Sequence, residues 1–247
     1  MRKVIIVQAR LSSSRLPNKV LAEISGKPVI AHIVERLHAA SQADGVCVAM
    51  PADKGEDPLA EYLQNLDVTV VRGSTTDVLG RYIQAAYETK ADVIVRATAD
   101  NPLVSYEEVD RQLSALEADP ELDYVITKGY PMGITVESFT LKTLEKMDYL
   151  TQHNVNHREH VTLYLRQNPR PFNILELEAP PELRRPDFKL SIDTDHDLEL
   201  FREVFDKLYQ PGQHVSLKAA LDLLAADTRL GQMSLNPTSL PAFAKAV

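Results

Sequence analysis

Residues 3–19 read KVIIVQARLSSSRLPNK, a short apolar run followed at once by a polar loop. The run at 4–7 is typical of a strand that is buried on both faces of a parallel sheet. The loop joins three cations, Arg10, Arg15 and Lys19, to three consecutive serines, and it lacks the glycines of a P-loop. Guanidinium, ammonium and loop amide groups all suit phosphate oxygens. The pattern therefore favours a phosphate site over the alternative of a solvated polar loop.

The next hundred residues alternate between short apolar runs and amphipathic segments. Strands are predicted at 46–50, 68–71 and 92–97, and helices from Pro28 onward, at 57–66 and around 78–86. This alternation indicates an α/β fold with βαβ units, in which helices cover both faces of a mainly parallel sheet. Because such sheets bind ligands at the carboxyl ends of their strands, the informative residues should follow residues 7, 71 and 97.

The rhythm changes after Lys128, where Gly129, Pro131 and Gly133 mark a loop. Strands are predicted at 135–140, 172–178 and 188–192, and helices at 141–150, 156–167 and 216–226. Leu198, Phe201, Phe205 and Leu208 mark one more large helix. We interpret residues 1–247 as a single domain, with 128–185 as a small inserted lobe and 212–247 as a C-terminal helix and tail.

Composition and charge exclude several classes of protein. The 247 residues include 27 Lys or Arg and 35 Asp or Glu, a formal net charge of −8, which disfavours binding to a nucleic acid polymer. The early apolar run is too short for a signal peptide or a membrane span. The single cysteine, Cys47, excludes an internal disulfide and suits the cytoplasm. Residues 1–36 nevertheless carry seven Lys or Arg against two Glu, a local excess that suits a compact polyanion such as a nucleoside triphosphate.

Two acidic segments follow predicted strands. Asp100 lies in TADNP at 98–102, where a carboxylate could hold Mg²⁺, although the same residues also favour a simple turn. In SIDTDHD at 191–197, Thr194 and Asp197 have the spacing of a helix capping box. That interpretation gives Asp193 no structural task, so Asp100 and Asp193 could share one metal ion across the sheet.

Three histidines, His153, His157 and His160, have the spacing of one helix face. Such a face can hold zinc. Asn154 and Asn156 weaken the start of the helix, so we favour a polar face near an acceptor pocket.

Six segments together resemble a known family. They are QARLSSSRLPNKVL (8–21), GKPVIAHIVERL (26–37), RGSTTDVLGRYIQAA (72–86), ATADNPLV (97–104), HREHVTLYL (157–165) and IDTDHDLEL (192–200). They occur in the order seen in the spore coat polysaccharide biosynthesis protein F family, over about residues 3–206. That family is similar to the CMP-Kdo and CMP-sialic acid synthetases, cytidylyltransferases that activate acidic sugars.

The resemblance implies a Rossmann-like fold of the nucleotide-diphospho-sugar transferase type and a role for each of several residues. Arg10, Lys19 and Asp100 would be catalytic, and Asp100 and Asp193 would bind Mg²⁺. The residues implied to bind the nucleotide are Ala9, Arg10, Ser12, Ser13, Arg15, Lys19, Arg72, Asp77 and Asp100, and those implied to bind the acceptor are Glu137, Arg158, Glu159 and His160. It also implies a homodimer through the 128–185 lobe.

We therefore expect a Mg²⁺-dependent cytidylyltransferase that uses CTP to activate a sugar or sugar acid for surface polysaccharide biosynthesis and releases pyrophosphate. One alternative is a glycosyltransferase that binds a metal through Asp193-Thr194-Asp195. The basic loop argues against it, because a triphosphate needs those cations more than a nucleotide-sugar does. Another alternative is a nucleotide-binding protein of the same pathway without catalytic activity.

Overall fold

The computed structural model describes residues 1–236 as a seven-stranded sheet with helices around it. The strands are β1 (Lys3–Gln8), β2 (Glu23–Ile24), β3 (Lys27–Pro28), β4 (Gly45–Pro51), β5 (Thr69–Gly73), β6 (Val93–Thr98), β7 (Tyr124–Lys128), β8 (Glu137–Thr140) and β9 (Ile174–Glu178). The α-helices are α1 (Val29–Leu37), α2 (Asp57–Leu63), α3 (Val78–Thr89), α4 (Tyr106–Ala118), α5 (Leu141–Thr151), α6 (Val155–Glu159), α7 (Leu163–Gln167), α8 (Asp195–Leu208), α9 (Leu217–Ala226) and α10 (Thr228–Met233).

The main sheet has the order β5-β4-β1-β6-β8-β7-β9, and β2 and β3 form a separate small hairpin. β1 pairs in parallel with β4 on one side and with β6 on the other. β8 runs antiparallel to both of its neighbours, β6 and β7, and β9 is parallel to β7. The predicted mainly parallel α/β sheet is therefore confirmed.

The two faces of β1 belong to two separate parts of the core. Ile5 and Val7 pack in a cluster with α1, α4 and α8, whereas Val4 and Ile6 pack in a second cluster with α3 and α5. All four side chains are at most 2% exposed. Burial on both faces is the reason why this strand is a continuous apolar run rather than an alternating one.

Two of the predicted elements are wrong. The helix predicted at 156–167 is two short helices, α6 and α7, because the chain turns at His160 and Val161, where φ of Val161 is +37°. The strand predicted at 188–192 forms only isolated bridges, from Lys189 to Met132 and from Phe188 to Leu235. The sequence analysis also missed the β2–β3 hairpin, α4, β7 and α10.

The segment 128–185 contributes β8 and β9 to the main sheet, and its helices α5 and α6 contact α3. In the C-terminal segment, α9 confirms the helix predicted at 216–226. The tail at 237–247 lies outside the described residues. Across residues 1–236 we find no helix long and apolar enough to cross a membrane.

Candidate active site

A pocket of about 230 Å³ opens at the carboxyl ends of β1 and β6, where the fold predicts a ligand site. Its lining includes the loop after β1, the first turn of α3 and the residues at the end of α6. The predicted site residues that line this pocket are Ala9, Arg10, Ser13, Arg15, Lys19, Asp100, Glu159, His160 and Asp193. Those that lie outside its lining are Ser12, Arg72, Asp77, Glu137 and Arg158.

The backbone holds Asp100 and Asp193 side by side. Asp100 lies two residues beyond the end of β6, and its carbonyl accepts a hydrogen bond from the Ile192 amide at 2.8 Å. The Thr98 hydroxyl donates to Asp100 Oδ1 at 2.7 Å. Gly133, with φ of +99°, allows the neighbouring loop to approach this segment, because a Cβ there would lie 2.6 Å from the Leu190 carbonyl oxygen. The distant acidic segments of the sequence therefore meet at one point.

Lys19 lies between these two carboxylates. Its ammonium group donates to Asp100 Oδ2 at 2.8 Å, to the Ile192 carbonyl at 2.6 Å and to Asp193 Oδ1 at 3.3 Å. The more exposed Arg15 reaches Asp193 Oδ1 at 2.8 Å. In this arrangement the cations predicted to bind phosphate neutralise the carboxylates predicted to bind metal.

The donor set at this point fits Mg²⁺. In nucleotide sites Mg²⁺ typically binds to one or two carboxylates and completes its octahedron with phosphate oxygens and waters. Asp100 and Asp193 supply two carboxylates, and both of them bind the Lys19 ammonium group. The ammonium group occupies the position between the carboxylates where a bound cation is expected. Across residues 1–236, no cluster of three or more His, Cys, Asp or Glu side chains could form a metal site from protein groups alone.

Lys189 supports the Asp193 side of the pocket. Its ammonium group lies 3.3 Å from Asp193 Oδ2 and 2.6 Å from Asp197 Oδ2. Partial burial would raise the pKa of Asp193, but Lys19 and Lys189 outweigh it and hold that pKa below its usual value. Asp197 also caps α8 in a capping box with Thr194, as predicted, and accepts the Asp193 amide at 2.9 Å. The helix cap and the candidate metal ligand are thus physically connected.

Arg158 and Asp77 bind each other instead of lining the pocket. Asp77 caps α3 by accepting the Gly80 amide at 2.8 Å, and its other oxygen receives Arg158 at 2.6 Å. Arg158 also binds Asp148 of α5 at 2.9 Å. These ion pairs join α3, α5 and α6, and they fix the helix that ends at Glu159, directly before His160.

Glu137 lies beneath the pocket in a buried network. Its carboxylate receives Arg96 at 2.5 Å, the Tyr124 hydroxyl at 2.5 Å and the Thr162 hydroxyl at 3.0 Å. Burial opposes ionisation here, but Arg96 and then Tyr124 outweigh it and lower the pKa of Glu137. Arg96 continues the network to the Gln8 side chain at 3.2 Å, and Gln8 does line the pocket.

Arg72 lies at the end of β5 and binds the segment that follows β4. It donates to the Asp53 carbonyl at 2.8 Å and to the Asp57 carboxylate at 2.7 Å. Arg72 therefore connects the end of β5 to the segment that follows β4.

The histidines do not form one helix face. His153 precedes α6, His157 contacts Gln167 at 2.9 Å, and only His160 lines the pocket. Asp195 of the Asp-Thr-Asp sequence is exposed and also lies outside the pocket lining. The arrangement therefore lends no support to a zinc site or to a paired Asp-x-Asp metal site.

The sequence analysis did not name Gln8, Thr98 and Arg81, which also line the pocket. Gln8 and Thr98 end the two strands beneath it, so the rule that ligands bind at strand ends could have found both. Arg81 is buried within α3; its guanidinium donates to the Ser74 carbonyl, and its Nε has no partner within the described residues. From the sequence alone, nothing distinguishes Arg81 from any other arginine on an amphipathic helix.

Known proteins share both this sequence pattern and this fold. Residues 4–223 match the family model described as Cytidylyltransferase. The chain is 31% identical over 208 residues to spore coat polysaccharide biosynthesis protein SpsF of Bacillus subtilis, covering 83% of this chain and 86% of that protein. It is 31% identical to the 3-deoxy-manno-octulosonate cytidylyltransferase of Chlorobium chlorochromatii, covering 72% of this chain and 68% of that protein.

Among solved structures, a cytidylyltransferase from Leptospira borgpetersenii serovar Hardjo-bovis superposes with a TM-score of 0.84 at 26% identity, over 98% of this chain and all of that one. The superposition covers almost the whole chain, and the family match covers most of it. The protein therefore belongs to the cytidylyltransferase family, the CTP-dependent nucleotidyltransferases.

Proposed function

We propose that the protein transfers CMP from CTP to a sugar or sugar acid in a Mg²⁺-dependent reaction that releases pyrophosphate. The observation that carries this proposal is the meeting of Asp100, Asp193 and Lys19 beside the Arg10–Arg15 segment of the first loop. Cations next to paired carboxylates at strand ends suit a metal-bound triphosphate better than an uncharged ligand. The similarity to a polysaccharide biosynthesis protein and to a 3-deoxy-manno-octulosonate cytidylyltransferase supports a sugar acceptor.

In the proposed reaction an acceptor hydroxyl gives up its proton to water and its oxygen forms a bond to the α-phosphorus. The bond from that phosphorus to the oxygen that bridges the α- and β-phosphates breaks, and pyrophosphate leaves in line. A bound Mg²⁺ would supply charge neutralisation on the phosphates. Arg15 and Lys19 would orient the triphosphate and stabilise the leaving pyrophosphate. Arg10 is free for the same task, because its exposed side chain makes no hydrogen bond or ion pair within residues 1–236. Catalysis would then rest on positioning and electrostatic stabilisation, without a covalent intermediate.

The acceptor would enter from the side of α6. Glu159 and His160 are exposed and line the pocket there, so they can contact sugar hydroxyls directly. We propose that Arg158 and Glu137 act on the acceptor through position: Arg158 fixes α6, and Glu137 binds Thr162 just beyond its end.

We also propose a homodimer through the 128–185 lobe. On α5 and α6, Tyr149 is 74% exposed, Leu150 is 42% exposed and Val155 is 75% exposed. Such a group of exposed apolar side chains is typical of a protein interface.

A ligand screen followed by an assay of turnover tests the proposal. We expect CTP with Mg²⁺ to raise the melting temperature more than GTP, UTP or ATP does. A panel of sugars and sugar acids should then contain one that drives pyrophosphate release, and Asp100→Asn should lower that rate by orders of magnitude while the fold persists. Stabilisation by CTP without turnover on any acceptor would favour a nucleotide-binding protein instead.

A further inference from the structure

Glu56 is a buried carboxylate that neither the sequence pattern nor the resemblance singled out. It follows β4 immediately before α2 and is 3% exposed. No cation lies within 4 Å of its carboxylate oxygens in the described part of the chain. Instead, its Oε2 accepts the Leu11 amide at 2.7 Å, and its Oε1 accepts the Ser12 amide at 3.3 Å. A buried negative charge held by backbone amides of the first loop needs an explanation, because burial of a charge is costly.

Some backbone amides of the first loop have hydrogen-bond partners within the protein, and others have none. Leu11 and Ser12 donate to Glu56, and the Ser13 and Asn18 amides donate to the Leu11 carbonyl at 2.8 and 2.9 Å. The amides of Arg10, Ser14 and Arg15 have no hydrogen-bond partner within residues 1–236. All three residues line the pocket. Glu56 therefore binds the two amides that lie between the open amide of Arg10 and the open amides of Ser14 and Arg15.

The segment that carries Glu56 is itself held in place. Arg72 binds the Asp53 carbonyl and the Asp57 carboxylate on either side of Glu56. The chain of contacts runs from β5 through Arg72 to the 53–57 turn, and from Glu56 to the first loop. Arg72 can thus affect the nucleotide site without contacting the nucleotide.

We propose that Glu56 is a positioning residue of the triphosphate site: its carboxylate binds the Leu11 and Ser12 amides and so fixes the loop in the form that leaves the Ser14 and Arg15 amides available to phosphate. The inference rests on the proposed function for the identity of the ligand. The anchor itself is a property of the free protein. A carboxylate suits this role because it accepts two charge-assisted hydrogen bonds with one rigid group.

The first test is amide hydrogen exchange in the wild-type protein, followed by NMR with and without CTP and Mg²⁺. We expect the Leu11 and Ser12 amides to be protected already in the free protein, because Glu56 binds them. The Ser14 and Arg15 amides should exchange rapidly in the free protein and become protected when CTP binds. Protection of Leu11 and Ser12 that arises only with CTP would overturn the proposal.

The second test compares Glu56→Gln with Glu61→Gln by calorimetric titration of CTP with Mg²⁺. A glutamine at 56 can accept only one of the two amides, so we expect the Kd for CTP to rise about tenfold, the effect of one lost charged hydrogen bond. Ser12 should lose its protection while the melting temperature stays within a few degrees. Glu61 is an exposed carboxylate on α2, and its replacement makes the same charge change without affecting either amide.

Two outcomes separate this inference from the proposed function. If Glu56→Gln loses protection at Ser12 but binds CTP as the wild type does, the positioning role is wrong and the proposed function stands. If the wild type does not bind CTP at all, the proposed function fails, and the exchange of Leu11 and Ser12 still decides whether Glu56 anchors the loop.

Discussion

Lys19 is the residue where the two halves of the site meet. Its ammonium group lies 2.8 Å from an Asp100 oxygen, whereas a Mg²⁺ ion would need that oxygen at about 2.1 Å. The two cations repel each other, so both cannot hold the carboxylates closely. Phosphate oxygens are the partners to which the ammonium group can move. Under the proposed function, Lys19 would thus link the binding of metal to the binding of triphosphate.

We predict that Lys19→Met strengthens the binding of Mg²⁺ alone and weakens the binding of CTP. Calorimetric titration of the nucleotide-free protein with MgCl₂ measures the first effect. Arg10→Met is the matched control, because Arg10 belongs to the same loop but has no contact with either carboxylate. Unchanged or weaker metal binding in Lys19→Met would show that the lysine does not compete for this position.

At the residue scale, the sequence predicted the groups whose chemistry is visible in their type and position. Arg10, Arg15, Lys19, Asp100 and Asp193 all line the pocket. It could not tell which charged residues bind each other, because Asp77 and Arg158 are 81 positions apart and their pairing depends on the fold. The sequence analysis missed Glu56 for the same reason, because Glu56 follows β4 and the amides that it binds belong to the loop after β1.

At the scale of elements, the start of α8 combines a helix cap with the site. Asp197 Oδ2 accepts the amides of Asp193 and Thr194, each at 2.9 Å, as well as Lys189. We predict that Asp197→Ala lowers the free energy of unfolding by about 2 kcal/mol, because the cap and its hydrogen bonds are lost. Turnover should also fall, because the Asp193 amide loses its anchor.

Chemical denaturation and turnover of this variant can be compared with Asp195→Ala. Asp195 lies in the same turn of α8 but is exposed, so its replacement should change the free energy of unfolding by about 0.5 kcal/mol or less. If the two substitutions changed the free energy of unfolding and the turnover equally, Asp197 would act only as a negative charge near the helix N-terminus, and the specific cap would be contradicted.

The contact between α1 and α8 contains a buried histidine. His32 Nε2 bonds to the Ile24 carbonyl at 2.8 Å, and the ring packs edge-on against Phe205 and Tyr209. Burial lowers the pKa of His32; Lys27 and Arg36 act in the same direction, whereas the Ile24 carbonyl and Glu35 oppose it. The folded protein therefore keeps this imidazole neutral at a pH where the unfolded chain would protonate it.

The sign of the pH effect follows from this lowered pKa. Above about pH 6.5 the imidazole is neutral in both states, and below it only the unfolded chain gains a proton. As the pH is lowered below this value, the free energy of unfolding decreases by at most about 1.4 kcal/mol per pH unit, until the pH reaches the lowered pKa.

We predict that His32→Gln, which can still donate to the Ile24 carbonyl, removes this part of the pH dependence. The difference in the free energy of unfolding between wild type and variant should shrink from about pH 7 to about pH 5. Parallel pH profiles in denaturant titrations would mean that folding does not lower the pKa of His32, and would contradict this prediction.

Local patterns predicted the elements that have a clear period or a clear burial. Where tertiary contacts decide, prediction failed. β7 pairs between two strands that follow it in the chain, and the 156–167 segment has helical spacing but is broken by the backbone of Val161. The 188–192 segment is apolar enough for a strand, yet it reaches its neighbours only through single bridges.

At the scale of the whole molecule, the exposed apolar group on α5 and α6 bears on assembly. We predict a solution mass of twice 27.6 kDa for the wild type by light scattering. A Tyr149→Glu and Val155→Glu double variant should be monomeric, because charges in an apolar interface are costly. Lys207→Glu, a change at an exposed position of α8, should leave the mass unchanged. A monomeric wild type would contradict the proposed dimer.

The fold as a whole explains why residues from four separate parts of the sequence converge. Parallel strands β1 and β6 are neighbours, so the loop after one meets the acidic turn after the other. The 190–193 segment is held against that turn by the Ile192–Asp100 hydrogen bond, and the residues at the end of α6 also line the pocket. Each part alone has an ordinary structural interpretation, and only their juxtaposition supports nucleotidyl transfer.

Time-resolved phosphorus NMR of CTP, Mg²⁺ and an acceptor sugar tests that central claim most directly. The account predicts that the CTP signals decline while a phosphodiester signal and pyrophosphate appear in equal amounts. Asp100→Asn and Asp193→Asn should both abolish this conversion. Release of inorganic phosphate with CDP, or an unchanged CTP spectrum with every sugar and sugar acid tested, would contradict it.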